Sequence, residues 1–468
     1  MGEYAPVTAT PEDDWQAPLL AGAVPVAVPA ARRDPACWPG YTPRPSVRVL
    51  RLPAGPVAAV WDFSAYGGSF GEDDATALVA AADLARAERV PLLTLVRSGG
   101  TRLQEGMAAL VGIPRARLGL HALAAAGLPH LSVADAPTTG GVWISVVSGA
   151  DLRVAVEGAT VGFAGPRVVA AVTGTAPAPG SHTATSAHAA GLVDAVLPGP
   201  QVPGWLAAVL RALTADPRPV AAPGPPAPAA APGGWTQVVR SRAPRPGGAA
   251  LLAELLEDAV PLRAPRGDAT VAAVVGRAAG RPAIGVALAA GPGVRPTPDG
   301  YRLAARAYRL ADRLGLPVLS LVDTPGAEPG TAAEQDGVAP AMGEAMDALL
   351  LCRSPTVALV HGEGGSGGAL AAAVADVLLV TGTSWFAAIG PEGAAAALRR
   401  SPEECADLLR LTPEDLLALG VADALLADPA DALGHLAALA DRDPQERLTA
   451  RASRWSSPVP GRLAPLPH

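Results

Sequence analysis

The sequence predicts an α/β chain made of two tandem copies of one unit, and three observations carry that prediction. Short apolar runs such as LLTLV and VLSLV have the length and composition of strands buried on both faces. Ala-, Leu- and Arg-rich stretches with apolar residues three and four apart lie between them, as over 73–88 and 301–314, and predict helices. The pattern also recurs: Pro56, Pro91 and Pro129, each opening an apolar run, match Pro282, Pro317 and Pro355 at a constant offset of 226 residues. Asp151 and Asp376 continue the register with an offset of 225, and each precedes a Gly-Pro pair ending fifteen residues on. One such match is cheap, but a register held over more than a hundred residues indicates internal duplication.

Punctuation sets the expected boundaries. Residues 1–33 are Pro/Ala-rich without a period and read as a mobile arm. In the stretch 213–234 Pro recurs too often for helix or strand, so it reads as a linker between bodies at 34–212 and 235–445. Residues 446–468 read as a tail.

Composition removes whole classes of function. Half of the 468 residues are hydrophobic and 17% are charged, enough for large cores. No uninterrupted apolar stretch predicts a membrane span. The acidic start MGEYAPVTATPEDDW is unlike a secretory signal, so cytoplasm is the expected location. A net charge of −7 argues against nucleic acid as a partner. Cys37, Cys352 and Cys405 are too far apart for a CxxC metal signature, and no metal is expected. The chain contains neither Lys nor Asn, so no lysine can form a Schiff base, complete a P-loop or carry biotin.

Chemistry is expected at the glycine turns. A strand leads into Pro137-Thr138-Thr139-Gly140-Gly141 in the first half, and another into Glu363-Gly364-Gly365-Ser366-Gly367-Gly368 in the second. Strand, glycine turn and helix together aim free backbone N–H groups at one point, where the helix dipole favours negative charge. A lone glycine pair there often marks only close helix–strand packing. Four glycines in five residues exceed what packing usually requires, and two turns suit a reaction developing negative charge on two oxygens. Two further turns follow the preceding strands. In the first, Arg97 and Arg102 read equally well as an anion clamp or as a solvated pair. In the second, Asp323 reads as a turn-capping residue.

At these turns the sequence resembles the carboxyltransferase components of biotin-dependent acyl-CoA carboxylases, whose crotonase-type (ClpP/crotonase) fold is repeated twice. DPACWPGY, DFSAYGGSFG, RSGGTRLQEG, PTTGG and VGFAGPRV stand in the order of the β component of bacterial acetyl-CoA carboxylase. The run PDGYRLAARAYRLADRLGLPVLSLVDTPGAEPG, then HGEGGSGGAL, IGPEG and LTPEDLLALGVAD, is similar to the α component. The resemblance covers about 34–429 and implies a fused β-like then α-like enzyme.

It further implies that acyl-CoA lies on the first half, at Ser98, Gly99, Gly100, Arg102, Thr139, Phe163 and Gly165. Biotin, held on a separate carrier protein, would lie on the second half at Gly326, Gly364, Gly365 and Gly367. Gly140 and Gly141 would receive the thioester oxygen, and Gly368 and Ala369 the ureido oxygen. Implied partners are a biotin carboxyl carrier protein, a biotin carboxylase subunit and further copies of the chain. Two features depart from the family: nothing here could form the four-cysteine zinc ribbon many β components carry, and Pro292-Gly293-Val294 replaces Asn-Phe-Gly. Acetyl-CoA is the leading substrate. A crotonase-type hydratase would want paired glutamates where Thr138 and Thr139 stand. A biotin-independent or pump-type decarboxylase and a non-catalytic scaffold are the remaining alternatives.

Overall fold

Apolar runs flanked by amphipathic helices become two mixed sheets in a computed structural model that describes residues 15–31, 38–222 and 233–457. The chain divides into units Met1–Ala207 and Ala208–His468, the division falling inside helix Val202–Ala212. The described residues of the first unit contribute β1 (Val24–Val26), β2 (Val47–Arg51), β3 (Val57–Trp61), β4 (Leu92–Ser98), β5 (His130–Thr139), β6 (Leu152–Val156), β7 (Val161–Gly162) and β8 (Ala195–Leu197). They run in the order β1-β2-β3-β4-β5-β6-β8, with β7 paired to β5.

The second unit repeats this with β9 (Glu257–Pro261), β10 (Val271–Ala278), β11 (Arg281–Leu288), β12 (Val318–Thr324), β13 (Thr356–Gly365), β14 (Val377–Thr381), β15 (Trp385–Ala387) and β16 (Ala424–Leu426). Its order is β9-β10-β11-β12-β13-β14-β16, with β15 on β13. The first residues of β4 and β5 lie 226 positions before those of β12 and β13, so the sequence register is also the structural one. In each sheet the first two pairings are antiparallel and the rest parallel.

The central strands β3, β12 and β13 are buried along their whole length, as parallel strands covered on both faces must be. The predicted helices form as Glu72–Glu88 and Pro298–Leu314. The first opens with Glu72, Asp73 and Asp74, which suit a helix amino end. Thr297 caps the second with its side chain, Pro298 takes the first position, and Gly315 closes it in the left-handed region.

Three sequence expectations need correction. The described part of the 1–33 arm is docked: Trp15 is buried with its indole N–H donating to Asp135, and β1 pairs with β2. Within the expected 213–234 linker, the Asp216 and Arg218 N–H groups donate to the Gly280 and Ala279 carbonyls, at 2.8 and 3.0 Å. The expected 446–468 tail contains most of a helix, Pro444–Ser456, whose Arg451 is 1% exposed. Arg451 grips both oxygens of Asp376 at 2.8 Å and donates to the Leu349 and Cys352 carbonyls. The buried side of this helix is arginine rather than apolar, so hydrophobic periodicity could not reveal it. Residues 1–14, 32–37 (with Cys37), 223–232 and 458–468 lie outside the described residues.

Replacing Arg451 by Leu strands the buried Asp376 carboxylate, and loss of one partner of a buried pair costs about 3–5 kcal/mol. The expected result is a lower urea midpoint followed by tryptophan fluorescence. An unchanged midpoint would show that the helix is not anchored there.

Candidate functional site

In both units the ladder slips at the same place. Val96 pairs with Ala134 but Ser98 pairs with Thr138, and Val322 pairs with Val360 but Thr324 pairs with Gly364. The extra residues of β5 and β13 bend each strand over the loop that leaves its neighbour, at the carboxyl ends of the parallel strands. In the first unit Gly140, with φ +71°, crosses Gly100, with φ +114°. A Cβ on Gly140 would stand 2.9 Å from the Gly100 Cα, and one on Gly141 would overlap Ile113. Only glycine fits this crossing.

The loop beneath is propped by a hydroxyl. The Gly100 N–H donates to Ser98 Oγ at 3.2 Å. In the second unit the Gly326 N–H donates to Thr324 Oγ1 at 3.2 Å, and Gly326 has φ +135°. The residue above it, at the register position of Gly140, is Ser366, with φ +63°. A Cβ on Gly365 would overlap the Pro325 carbonyl, and one on Gly368 would lie 2.9 Å from the Tyr301 hydroxyl. That hydroxyl donates to the Gly368 carbonyl at 3.1 Å, and burial pushes its pKa up.

Donor assignment sharpens the expectations. The Gly140 N–H already donates to the Phe163 carbonyl at 3.0 Å, so it serves the fold. The N–H groups opening helices Gly141–Ser145 and Ser366–Leu370 have no acceptor one turn back and are those a ligand oxygen could use. By register, Gly140 and Gly141 correspond to Ser366 and Gly367, not to Gly368 and Ala369.

A cavity of about 740 Å³ opens at the second crossing, lined in part by Arg242, Arg295, Gly326, Glu363, Gly367 and Gly368. Gly326 and Gly367, two of the four residues expected to contact biotin, line this cavity. Gly364 and Gly365 do not line it: a Cβ on Gly364 would overlap Phe386, and both glycines serve packing. Ala369 is fully buried in its helix. A Cβ on Gly367 meets nothing within 4 Å, so this position faces open space.

In the first unit the crossing assembles Gly99, Gly100, Thr139, Gly140 and Gly141, with Phe163 73% exposed beside it and Gly165 capping helix Pro166–Thr173. Arg102 is a correction. It is fully buried, bonded to Asp74 at 2.8 Å and to the Arg44 carbonyl at 2.9 Å, with Glu105 at 3.4 Å, so it cannot reach a ligand. Asp74 also accepts the N–H groups of Ser46, Val47 and Gly71, tying β2, helix Glu72–Glu88 and the Arg102 loop together. Arg97 pairs with Asp135 at 3.0 Å.

The second cavity carries charges that no sequence motif marked. Arg242 bridges Glu363 at 3.0 Å and Glu392 at 2.6 Å, and its hydrogen bond holds the Glu392 carboxyl below its usual range. Asp323 caps the Glu363 N–H at 2.9 Å while Arg245 grips both its oxygens. Arg242 and Arg245 lie in SRAPRPGG, which has no motif signal, although Tyr301 belongs to the PDGYR run. Among the described residues no cluster of His, Cys, Asp and Glu could hold a metal, and no helix is long and apolar enough to cross a membrane.

Comparison with known proteins follows this geometry. Residues 235–450 match the acetyl co-enzyme A carboxylase carboxyltransferase-like family. The chain is 40% identical over 407 residues to acetyl-coenzyme A carboxylase carboxyl transferase subunits beta/alpha of Salinispora tropica, covering 81% of this chain and 72% of that one. The Parafrankia protein of the same description is 36% identical over 475 residues, covering 88% and 77%. A Mycobacterium tuberculosis protein described as a probable biotin-dependent acyl-coenzyme A carboxylase beta3 subunit is 35% identical, covering 80% and 77%. The transcarboxylase 12S crystal structure with hydrolysed methylmalonyl-coenzyme A superposes with a TM-score of 0.74 at 23% identity, covering 91% of this chain and 88% of that one. The fold is thus two tandem crotonase-like domains. The chain belongs to the carboxyltransferase family of biotin-dependent acyl-CoA carboxylases, in the fused β-like and α-like arrangement.

Proposed function

We propose that the chain moves a carboxyl group from carboxybiotin, presented by a separate carrier protein, to a short acyl-CoA, with acetyl-CoA giving malonyl-CoA as the leading pair. The carrying observation is the repeated crossing: two register-matched turns each leave backbone donors at a helix start. Two developing oxyanions need two such sets, and one well-placed donor is worth roughly 3 kcal/mol of barrier.

The first crossing receives the thioester oxygen at the Gly141 end, with Phe163 offering an apolar surface beside it. The second cavity fits a flat ureido ring. Gly367 leaves space for its oxygen at the helix start, while Arg295, which carries no ion pair among the described residues, supplies positive charge for a carboxylate. Bound there, biotin supplies the carboxyl group and, once relieved of it, a base for the α-proton. The chain's own task is to hold both oxygens and exclude water. A biotin carboxylase subunit recharges the carrier, since this chain has no Lys to bear biotin.

The chain works as a homo-oligomer in this reading. Met107, Leu110, Val111 and Leu118 share one outward side of helix Met107–Ala125 and are 49–70% exposed; Ile144 and Phe163 are exposed beside the crossing. The transcarboxylase 12S structure is described as a hexamer.

Purified protein given malonyl-CoA and free biotin should show carboxyl exchange, tested across a panel of acyl-CoAs. No exchange with any short acyl-CoA sinks the transferase reading, and biotin-independent decarboxylation in its place favours the decarboxylase. Gly367→Val fills open space, so it should lower exchange by about 100-fold, as loss of an oxyanion contact does, at an unchanged unfolding midpoint. Equal rates would make that turn structural only. Gly141→Val should lose both activity and stability, because Ile113 occupies the space. Sedimentation should show an oligomer that Leu110→Arg shifts toward monomer, and a monomeric native protein overturns the assembly.

A further inference from the structure

The second sheet has another cavity, at the opposite end of its parallel strands from the glycine turn. Its volume is about 520 Å³, and its wall includes Asp376 and Val377, where β14 begins, and Asp423, just before β16. Helix Pro444–Ser456 closes it with Arg447, Arg451 and Arg454, and Arg442 stands at the rim.

The charges in this wall are unevenly used. Asp376 is saturated: its Oδ2 accepts the Thr356 N–H at 2.8 Å, the Thr356 hydroxyl at 3.0 Å and Arg451 at 2.8 Å. Asp423 accepts the Leu378 N–H at 2.7 Å and Arg454 at 2.5 Å. Arg447 is left over. It is 5% exposed, its Nε reaches only the Arg442 carbonyl at 3.4 Å, and its Nη1 has no hydrogen-bond partner among the described residues. Its ion-pair partner, Asp376 Oδ2, is 3.9 Å away, too far for a hydrogen bond. Burial draws the Arg447 guanidinium below its usual range, which Asp376 opposes. Arg442 has no ion pair among the described residues, and Glu446 is the one lining acid not engaged by an arginine; both are exposed.

A buried guanidinium with an unused N–H is costly unless something satisfies it. We propose that this cavity is a phosphate-binding site, distinct from the glycine turns, in which Arg447 and Arg442 hold the oxyanion between them. A phosphate group matches two guanidiniums better than a water does, because it offers several acceptor oxygens and the charge to neutralise both. Occupancy ties helix Pro444–Ser456 to the start of β14, so the bound anion stabilises the second unit by mass action.

Inorganic phosphate and the phosphate of a nucleotide share this chemistry. Calorimetric titration of the full chain in chloride buffer, with sodium phosphate in one arm and adenosine 3′,5′-bisphosphate in the other, separates them. One phosphate per chain should bind, and Arg442→Gln and Arg447→Gln should each weaken it about tenfold, as loss of a charge-assisted hydrogen bond does. Arg309→Gln, on an exposed pair with Glu344, should leave it unchanged. Tighter, Arg442-dependent binding of the nucleotide assigns the site to a nucleotide phosphate, and equal or weaker binding assigns it to free phosphate. No saturable heat with either anion, or heats unaffected by Arg442→Gln, overturns the site. Arg442 is exposed, so its variant keeps the fold and decides the matter even if Arg447→Gln unfolds.

Discussion

The lack of room for a Cβ where β5 crosses the loop after β4, and where β13 crosses the loop after β12, is the constraint on which the rest of each unit depends. Close approach brings the start of the following helix over the neighbouring strand end, where its first N–H groups have no acceptor one turn back. The hydroxyls of Ser98 and Thr324 hold the lower loop at the same height in both units. At the upper position the first unit uses Gly140, whereas the second holds Ser366 in the left-handed region, a conformation that costs a residue with a side chain about 1–2 kcal/mol. Gly365 and Gly367 flank Ser366, so the backbone on both sides is free to absorb that strain.

The fold is held by arginine–aspartate pairs. Arg102 with Asp74 ties the loop after β4 to helix Glu72–Glu88, Arg245 with Asp323 ties a loop to the end of β12, and Arg451 with Asp376 ties a helix to the start of β14. All 36 cationic residues are arginine, and this absence of lysine shapes the structure. A planar fork can bind a carboxylate and several carbonyls at once, as Arg451 does, where an ammonium would leave part of the site unsatisfied. Burying charge in this way is tolerated only when the guanidinium finds a carboxylate or carbonyl acceptors.

The duplication and the central strands were legible in the sequence because Pro-led apolar runs recur with the period of the fold, and buried parallel strands tolerate few other residues. The glycine turns were legible as positions but not as roles. Gly364 and Gly365 look in sequence like the cavity-facing Gly367, yet Phe386 and Pro325 occupy their side-chain space, which only tertiary packing reveals. Arg102 failed as a clamp for the same reason, since Asp74 and Glu105 precede or follow it at distances that give no sequence signal. The helix Pro444–Ser456 escaped because its inner side is polar, and polarity in sequence normally means solvent.

Duplication gives both units the same donor geometry, so any difference in what they bind must come from the walls. The second cavity surrounds its turn with Arg242 and Arg295 and with Glu328, Glu334, Glu363 and Glu392; Arg242 is committed to two of these acids while Arg295 carries no ion pair among the described residues. The first crossing has Phe163 and Ile144 exposed beside it, and its arginines are spent inward on Asp74 and Asp135. An unpaired arginine at the rim favours a ligand that brings a carboxylate, and an apolar rim favours one that brings an acyl chain. This contrast supports the division of labour proposed for the two units independently of the resemblance that first suggested it. Under that proposal, specificity for the acyl group rests with the few apolar side chains around Phe163, rather than with the glycine turns, which have too little side chain to discriminate.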